Sequence, residues 1–113
     1  MHFELTDEQH LAQETANKFA TNELKPIAAS LETRENHHLY LDALKKLSDL
    51  GFMGLNVDPL FGGSGTGVVA FSVALTEVAK ACASTGVAMS VNNLVAEVIQ
   101  AIGSEEQKRT YIP

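Results

Sequence analysis

Six of the eight glycines in this chain fall between Gly51 and Gly67, in the run GFMGLNVDPLFGGSGTG. A glycine inside a helix costs about 1 kcal/mol relative to alanine. Six of them in seventeen residues exclude a helix there. The run therefore divides the chain into two halves joined by an irregular connection. Asp58-Pro59 marks a turn within it, Gly51 stands where a helix would stop on a left-handed residue, and Phe52 to Val57 is expected to be extended.

Both flanks read as helix. Thr6 and Gln9 have the spacing of a reciprocal helix start, in which the threonine hydroxyl caps the third N–H and the glutamine reaches back. Asp7 and Glu8 then lie at the positive end of the helix dipole. Leu11, Thr15 and Phe19, then Leu24, Ile27 and Leu31, form an apolar stripe at helical period. Pro26 interrupts that stripe and should kink or end the helix. Residues 32–38, ETRENHH, read as a polar loop, and Leu41, Leu44, Leu47 and Leu50 mark a second short helix.

Beyond the glycines, residues 67–82 predict a third helix, mostly apolar, whose Ser72, Thr76 and Lys80 make one narrow polar strip with Glu77 beside it. A helix of that composition is buried on most sides. A fourth runs from about Ser84 to Ile102 and stops at Gly103. Ser104 and Gln107 repeat the capping pattern and open a fifth. No segment alternates as a half-buried strand would. The expected class is all-α: an antiparallel bundle of about five helices, with the Gly-rich loop between the second and third long ones.

The chain has 113 residues, one domain's worth, and 45% are hydrophobic, which argues against disorder. Its formal charge is −6, with eight basic residues scattered along it. Nothing there builds a cationic patch for nucleic acid or an anionic membrane. No apolar run nears the roughly 20 residues of a membrane span. The opening MHFELTDEQ has neither a secretory signal's apolar core nor an arginine-rich presequence. The expected location is the cytoplasm, or the mitochondrial matrix if a presequence has been removed.

Familiar chemistries fail on their spacing. GGSGTG lacks the Lys-Ser/Thr of a nucleoside-triphosphate loop and no strand of a βαβ unit precedes it. His2, His10, His37 and His38 have no further ligands at metal spacing. Cys82, the sole cysteine, lacks an activating neighbourhood and reads as a small buried thiol. Glu77 and Glu97 read as surface or salt-bridge groups. No residue is named as catalytic, cofactor-binding or metal-binding.

The fourth helix is the unusual one. Ala88, Val91, Val95, Val98 and Ile102 line up as an apolar stripe expected to be buried, and Ser90, Asn93, Glu97 and Gln100 as a polar strip. Thr85, Met89, Asn92 and Ala96 form a mixed face between them. Such a face suits either the wall of a pocket with a few placed polar groups or a partly exposed flank.

The segments LTDEQ, LSDLGFMGLNVDPLFGGSG, LTEVAKACASTGVAMSVNN and IGSEEQKRTYIP, in this order and spacing, resemble the N-terminal helical domain of the acyl-CoA dehydrogenases. The resemblance covers nearly all of residues 1–113, and its CASTGV-x-MSVNN wording is most similar to short-chain and branched-chain members. It implies a flavoenzyme of three domains, of which a middle β-domain and a C-terminal helical domain are missing from this sequence. Such enzymes hold FAD and oxidise the Cα–Cβ bond of an acyl-CoA. A glutamate takes the α-proton, the β-hydrogen leaves as hydride to the flavin, and electrons pass to an electron-transferring flavoprotein. Most members are homo-oligomers. The missing domains supply the base and most flavin contacts, so the chain alone is expected to be inactive and to hold no FAD tightly. What carries over is the acyl-pocket wall: Ala88, Met89, Asn92 and Asn93. The chain departs from the family in ETRENHHLYLDAL, which lacks a proline before the second helix. Two other readings fit the same residues, a free-standing helical interaction module and a flavin oxidase or monooxygenase on the same scaffold.

Overall fold

The computed structural model describes residues 3–113, and His2 lies outside them. It contains five α-helices: α1 (Asp7–Phe19), α2 (His37–Asp49), α3 (Val68–Ala81), α4 (Ala83–Ile102) and α5 (Glu105–Tyr111). No strand occurs among the described residues.

Local chemistry sets the helix ends. The Thr6 hydroxyl accepts from the Gln9 amide at 3.2 Å, and the Gln9 side chain accepts from the Thr6 amide at 2.9 Å. Ser104 and Gln107 do the same at the start of α5, at 3.2 and 2.9 Å. After Phe19 the helix widens into a π-turn over Ala20–Leu24, closed by the Lys25 amide donating to the Ala20 carbonyl at 2.8 Å. Pro26 follows, with no N–H to continue the ladder and a ring that crowds the preceding turn. The widened turn relieves that crowding before the helix ends.

Residues 32–38 are more ordered than the polar composition suggests. Short 3₁₀ turns at Ala28–Glu32 and Arg34–Asn36 lead straight into α2, and His37 and His38 belong to its first turn. The polar side chains themselves fold the segment. Asn36 Nδ2 donates to the Ser30 carbonyl at 3.1 Å and to Thr33 Oγ1 at 3.0 Å, and Thr33 Oγ1 donates to Ser30 O at 3.2 Å. Such local bonds compete successfully with solvent in Ser/Thr/Asn-rich runs.

α1 lies along α3. Ala16 of α1, Ala20 of the π-turn and Ala70 and Ala74 of α3 are almost wholly buried, so small side chains line this part of the core. The buried face of α1 and its π-turn is therefore Ala16, Phe19, Ala20 and Leu24, not a stripe through Leu11, which is 64% exposed. Cys82, extended at φ −154°, is the single residue between α3 and α4, and the two helices pack together. Phe19, Leu24, Leu47, Phe52, Leu55, Val78 and Met89 complete the core. Cys82 is buried, and the Thr85 hydroxyl donates to its sulfur at 3.2 Å.

The whole measures 40 × 38 × 18 Å. With helices about 10–12 Å across, that is a slab no more than two helices thick.

Candidate functional site

The glycine-rich connection folds back on itself without forming a strand. Gly51, at φ +84°, ends α2 in the left-handed region that L side chains avoid. Phe52–Gly54 and Pro59–Phe61 are 3₁₀ turns, the second capped by the Asp58 carboxylate accepting from the Leu60 amide at 2.8 Å. Phe52 to Val57 is thus coiled where an extended segment was expected. Its return limb bonds to it directly: Ser64 N to Gly54 O at 3.0 Å, Gly65 N to Val57 O at 2.9 Å, and Thr66 N to Leu55 O at 2.8 Å. At Gly63 a Cβ would lie 2.1 Å from the Val57 carbonyl oxygen, so only glycine fits between the limbs.

Four further backbone groups of the loop are met from α4. Asn93 is completely buried. Its Oδ1 accepts from the Leu55 amide at 3.1 Å, and its Nδ2 donates to the carbonyls of Phe52 at 3.0 Å and Met89 at 2.9 Å. Asn92 Nδ2 donates to the Met53 carbonyl at 2.8 Å. Gln100 Oε1 accepts from the Asp58 amide at 2.7 Å.

This explains which way α4 faces. A buried backbone group without a partner costs about 1–3 kcal/mol, and the loop presents several. The amide-bearing side of α4 turns inward to meet them. The stripe of Val91, Val95, Val98 and Ile102 is correspondingly 50, 51, 47 and 82% exposed, the reverse of the burial expected from its composition. Val87 and Leu94 extend that outward face, at 62 and 56% exposed.

Between loop and helix lies a concavity of about 530 Å³. Met53, Gly54, Val57, Phe61 and Gly63 form the loop side, Asn92, Val95, Ala96 and Ile99 the α4 side, and Tyr111 to Pro113 a third edge. None of its lining side chains is acidic, basic or a histidine. Among the described residues no three of His, Cys, Asp and Glu gather as metal ligands would, and no helix is long and apolar enough to cross a membrane.

The four residues singled out for an acyl-pocket wall occupy four different places. Asn92 lines the concavity. Met89 is completely buried in the core, and Asn93 is buried beneath the loop. Ala88 is half-buried on α4 and outside the concavity's lining. The loop residues and Gln100 were not singled out. Only the Gly-rich composition of the loop hinted that backbone there comes close to something.

Glu77, read as a surface or salt-bridge group, is the latter and is only 9% exposed. It accepts from Asn17 Nδ2 of α1 at 2.9 Å and pairs with Lys80 at 3.3 Å. The Asn17 bond chiefly, with help from Lys80 and against the opposing effect of burial, holds its carboxyl below the ordinary value of 4.5.

Comparison with known proteins adds four likenesses. Residues 6–113 match the family model for the acyl-CoA dehydrogenase N-terminal domain. The chain is 38% identical to the short-chain specific acyl-CoA dehydrogenase of Clostridium acetobutylicum, over 99% of this chain and 29% of that protein. It is 41% identical to the mitochondrial short-chain specific acyl-CoA dehydrogenase of Mus musculus, over 96% of this chain and 26% of that one. Among solved structures, a chain from work on the electron transferring flavoprotein of Acidaminococcus fermentans superposes with a TM-score of 0.89, at 30% identity, over 99% of this chain and 29% of that one. The chain thus spans less than a third of the length of the relatives it matches.

Proposed function

Because the chain belongs to the acyl-CoA dehydrogenase family, as its N-terminal domain, we propose that it walls the acyl pocket of an enzyme oxidising the Cα–Cβ bond of short acyl-CoA thioesters. The observation that carries this reading is the uncharged concavity between α4 and the loop, with Asn92 at its wall. A short hydrocarbon chain needs apolar surface and few polar groups, and Val57, Phe61, Val95 and Ile99 provide the former. Met89 and Asn93 act from behind that wall. Met89 fills the core under α4, and Asn93 fixes the loop, while Ala88 flanks the wall one turn away.

This domain contributes binding, not proton transfer. No carboxylate or imidazole side chain borders the concavity, so the base comes from another part of the enzyme. FAD is the hydride acceptor that the family's reaction requires. Its pyrophosphate would meet neither Lys nor Arg in this lining, so the concavity fits the acyl group and not the flavin's pyrophosphate.

The outward apolar face of α4 supports a place within a larger protein. The accessible surface is 7323 Å². A self-sufficient monomer of 12.1 kDa would expose about 6000 Å². The excess of roughly 1300 Å² exceeds one side of a standard interface, about 800 Å². The occupants we assign to it are the middle β-domain and the C-terminal helical domain of the same polypeptide, within a homo-oligomer. Electrons then leave to an electron-transferring flavoprotein, in the cytoplasm or the mitochondrial matrix.

The test is to purify the full-length polypeptide carrying this chain beside the 113-residue chain alone. The long form should be yellow and reduce an electron-accepting dye with butyryl-CoA. The short form should retain no flavin after desalting and show no turnover. A long form that binds flavin but leaves every acyl-CoA untouched would overturn the assignment.

A further inference from the structure

The three α4 amides hold the loop unequally. Asn93 and Asn92 grip its first turn, Phe52 to Leu55, and Asn93 does so from a fully buried position. The far part, Asp58 to Gly63, is bound to α4 through the single bond from the Asp58 amide to Gln100 Oε1, at 2.7 Å. Gln100 stands seven residues beyond Asn93, two turns along the same side of the helix. The concavity lies beside this span, with Val57 and Phe61 on the loop opposite Val95 and Ile99 on the helix.

Within the acyl-pocket reading, on which this inference rests, we propose that Gln100 is a positioning residue that sets the width of the pocket. It therefore governs selection between straight and branched acyl groups. The far part of the loop is internally bonded, with Gly62 N donating to Pro59 O at 3.0 Å and Gly63 N to Asp58 O at 3.2 Å. The Asp58 carboxylate is already engaged with Leu60 N. The segment's ends are tied within the loop, Val57 N and Ser64 N both donating to Gly54 O at 3.2 and 3.0 Å, so the turn between them pivots on those ends when the Gln100 contact is lost. The first turn stays in place, because its own attachment is buried and separate. The donor in this contact is a backbone N–H, so position 100 has only to offer an acceptor.

That requirement defines the variants. Gln100→Leu removes the acceptor at similar size, and Gln100→Glu keeps one. In the full-length enzyme, Gln100→Leu should raise kcat/KM for isobutyryl-CoA relative to butyryl-CoA, isomers that differ only in where one carbon branches, by roughly tenfold, the low end of what one methylene is worth in an apolar pocket. Gln100→Glu should keep the wild-type ratio. Amide hydrogen exchange should accelerate at residues 58–63 in the leucine variant and stay as in wild type at residues 52–55. An unchanged substrate ratio with accelerated exchange, or unchanged exchange, would overturn the role given to Gln100. A wild-type enzyme that turns over neither thioester would instead overturn the acyl-pocket reading beneath it.

Discussion

Glu77 shows how one side chain can serve two helices. Its carboxylate, itself largely buried, joins Asn17 on α1 to the exposed Lys80 on α3. Its folded-state pKa lies below the unfolded value of 4.5. The stabilisation is therefore complete above pH 4.5 and is lost as pH falls through the lower, folded-state value. Glu77→Gln should cost about 1.5–3 kcal/mol at pH 7, the usual worth of a hydrogen bond to a charged group. Urea unfolding at stepwise lower pH should show the gap between the two proteins narrowing below pH 4.5. A gap that stays constant down to the acid transition would contradict the ionised bridge.

At the scale of elements, the loop and α4 form one unit. Asn93 has both ends of its amide committed, as acceptor from Leu55 N and donor to Phe52 O and Met89 O. Asn93→Ala should destabilise the domain by about 2–4 kcal/mol, because it strands buried backbone groups. Asn93→Asp keeps the acceptor but aims a carboxylate oxygen at two carbonyls. It should be nearly as damaging at pH 7 and recover partly in acid, where the protonated group can donate again. Thermal denaturation of both variants checks this, and a stability within 0.5 kcal/mol of wild type would remove the latch from the account (about the spread of ordinary surface substitutions).

These elements also show what the sequence could reveal. Helix ends at Thr6, Gly51 and Ser104 were legible because capping involves residues three or four apart. The division of α4 into an apolar stripe and a polar strip was legible too, because periodicity records which residues share a side. Which side meets the domain was not. That depended on unpaired backbone groups some 40 residues away, around Phe52 and Asp58, and on the coiled form of a loop that read as extended. Of the contacts between α4 and the loop, the one from Asn92 could be reached through family wording. Gln100 could not, since its role exists only once Asp58 lies beside it.

Across the whole molecule, the broad outward face of α4 dominates. Val87, Val91, Leu94 and Val98 recur at alternating four- and three-residue steps, the spacing of a helix-packing seam, and all four are at least 47% exposed. The isolated chain should therefore self-associate and bind dyes that sense apolar surface. Replacing Val91 and Val98 together by glutamate should yield a monomer with unchanged helical circular dichroism and about a tenfold or greater loss in association. Sedimentation equilibrium would decide, and a wild-type chain that stays monomeric at high concentration would count against an adhesive face.

The 18 Å depth of the slab has a consequence for how such a protein can be retuned. Met89 and Asn93 are back to back with Val91 and Leu94 on the same helix, so a change of bulk in the interior lifts or lowers the exterior ridge. Substitutions inside the slab can then reset that ridge without touching it, much as shims under a rail alter its height.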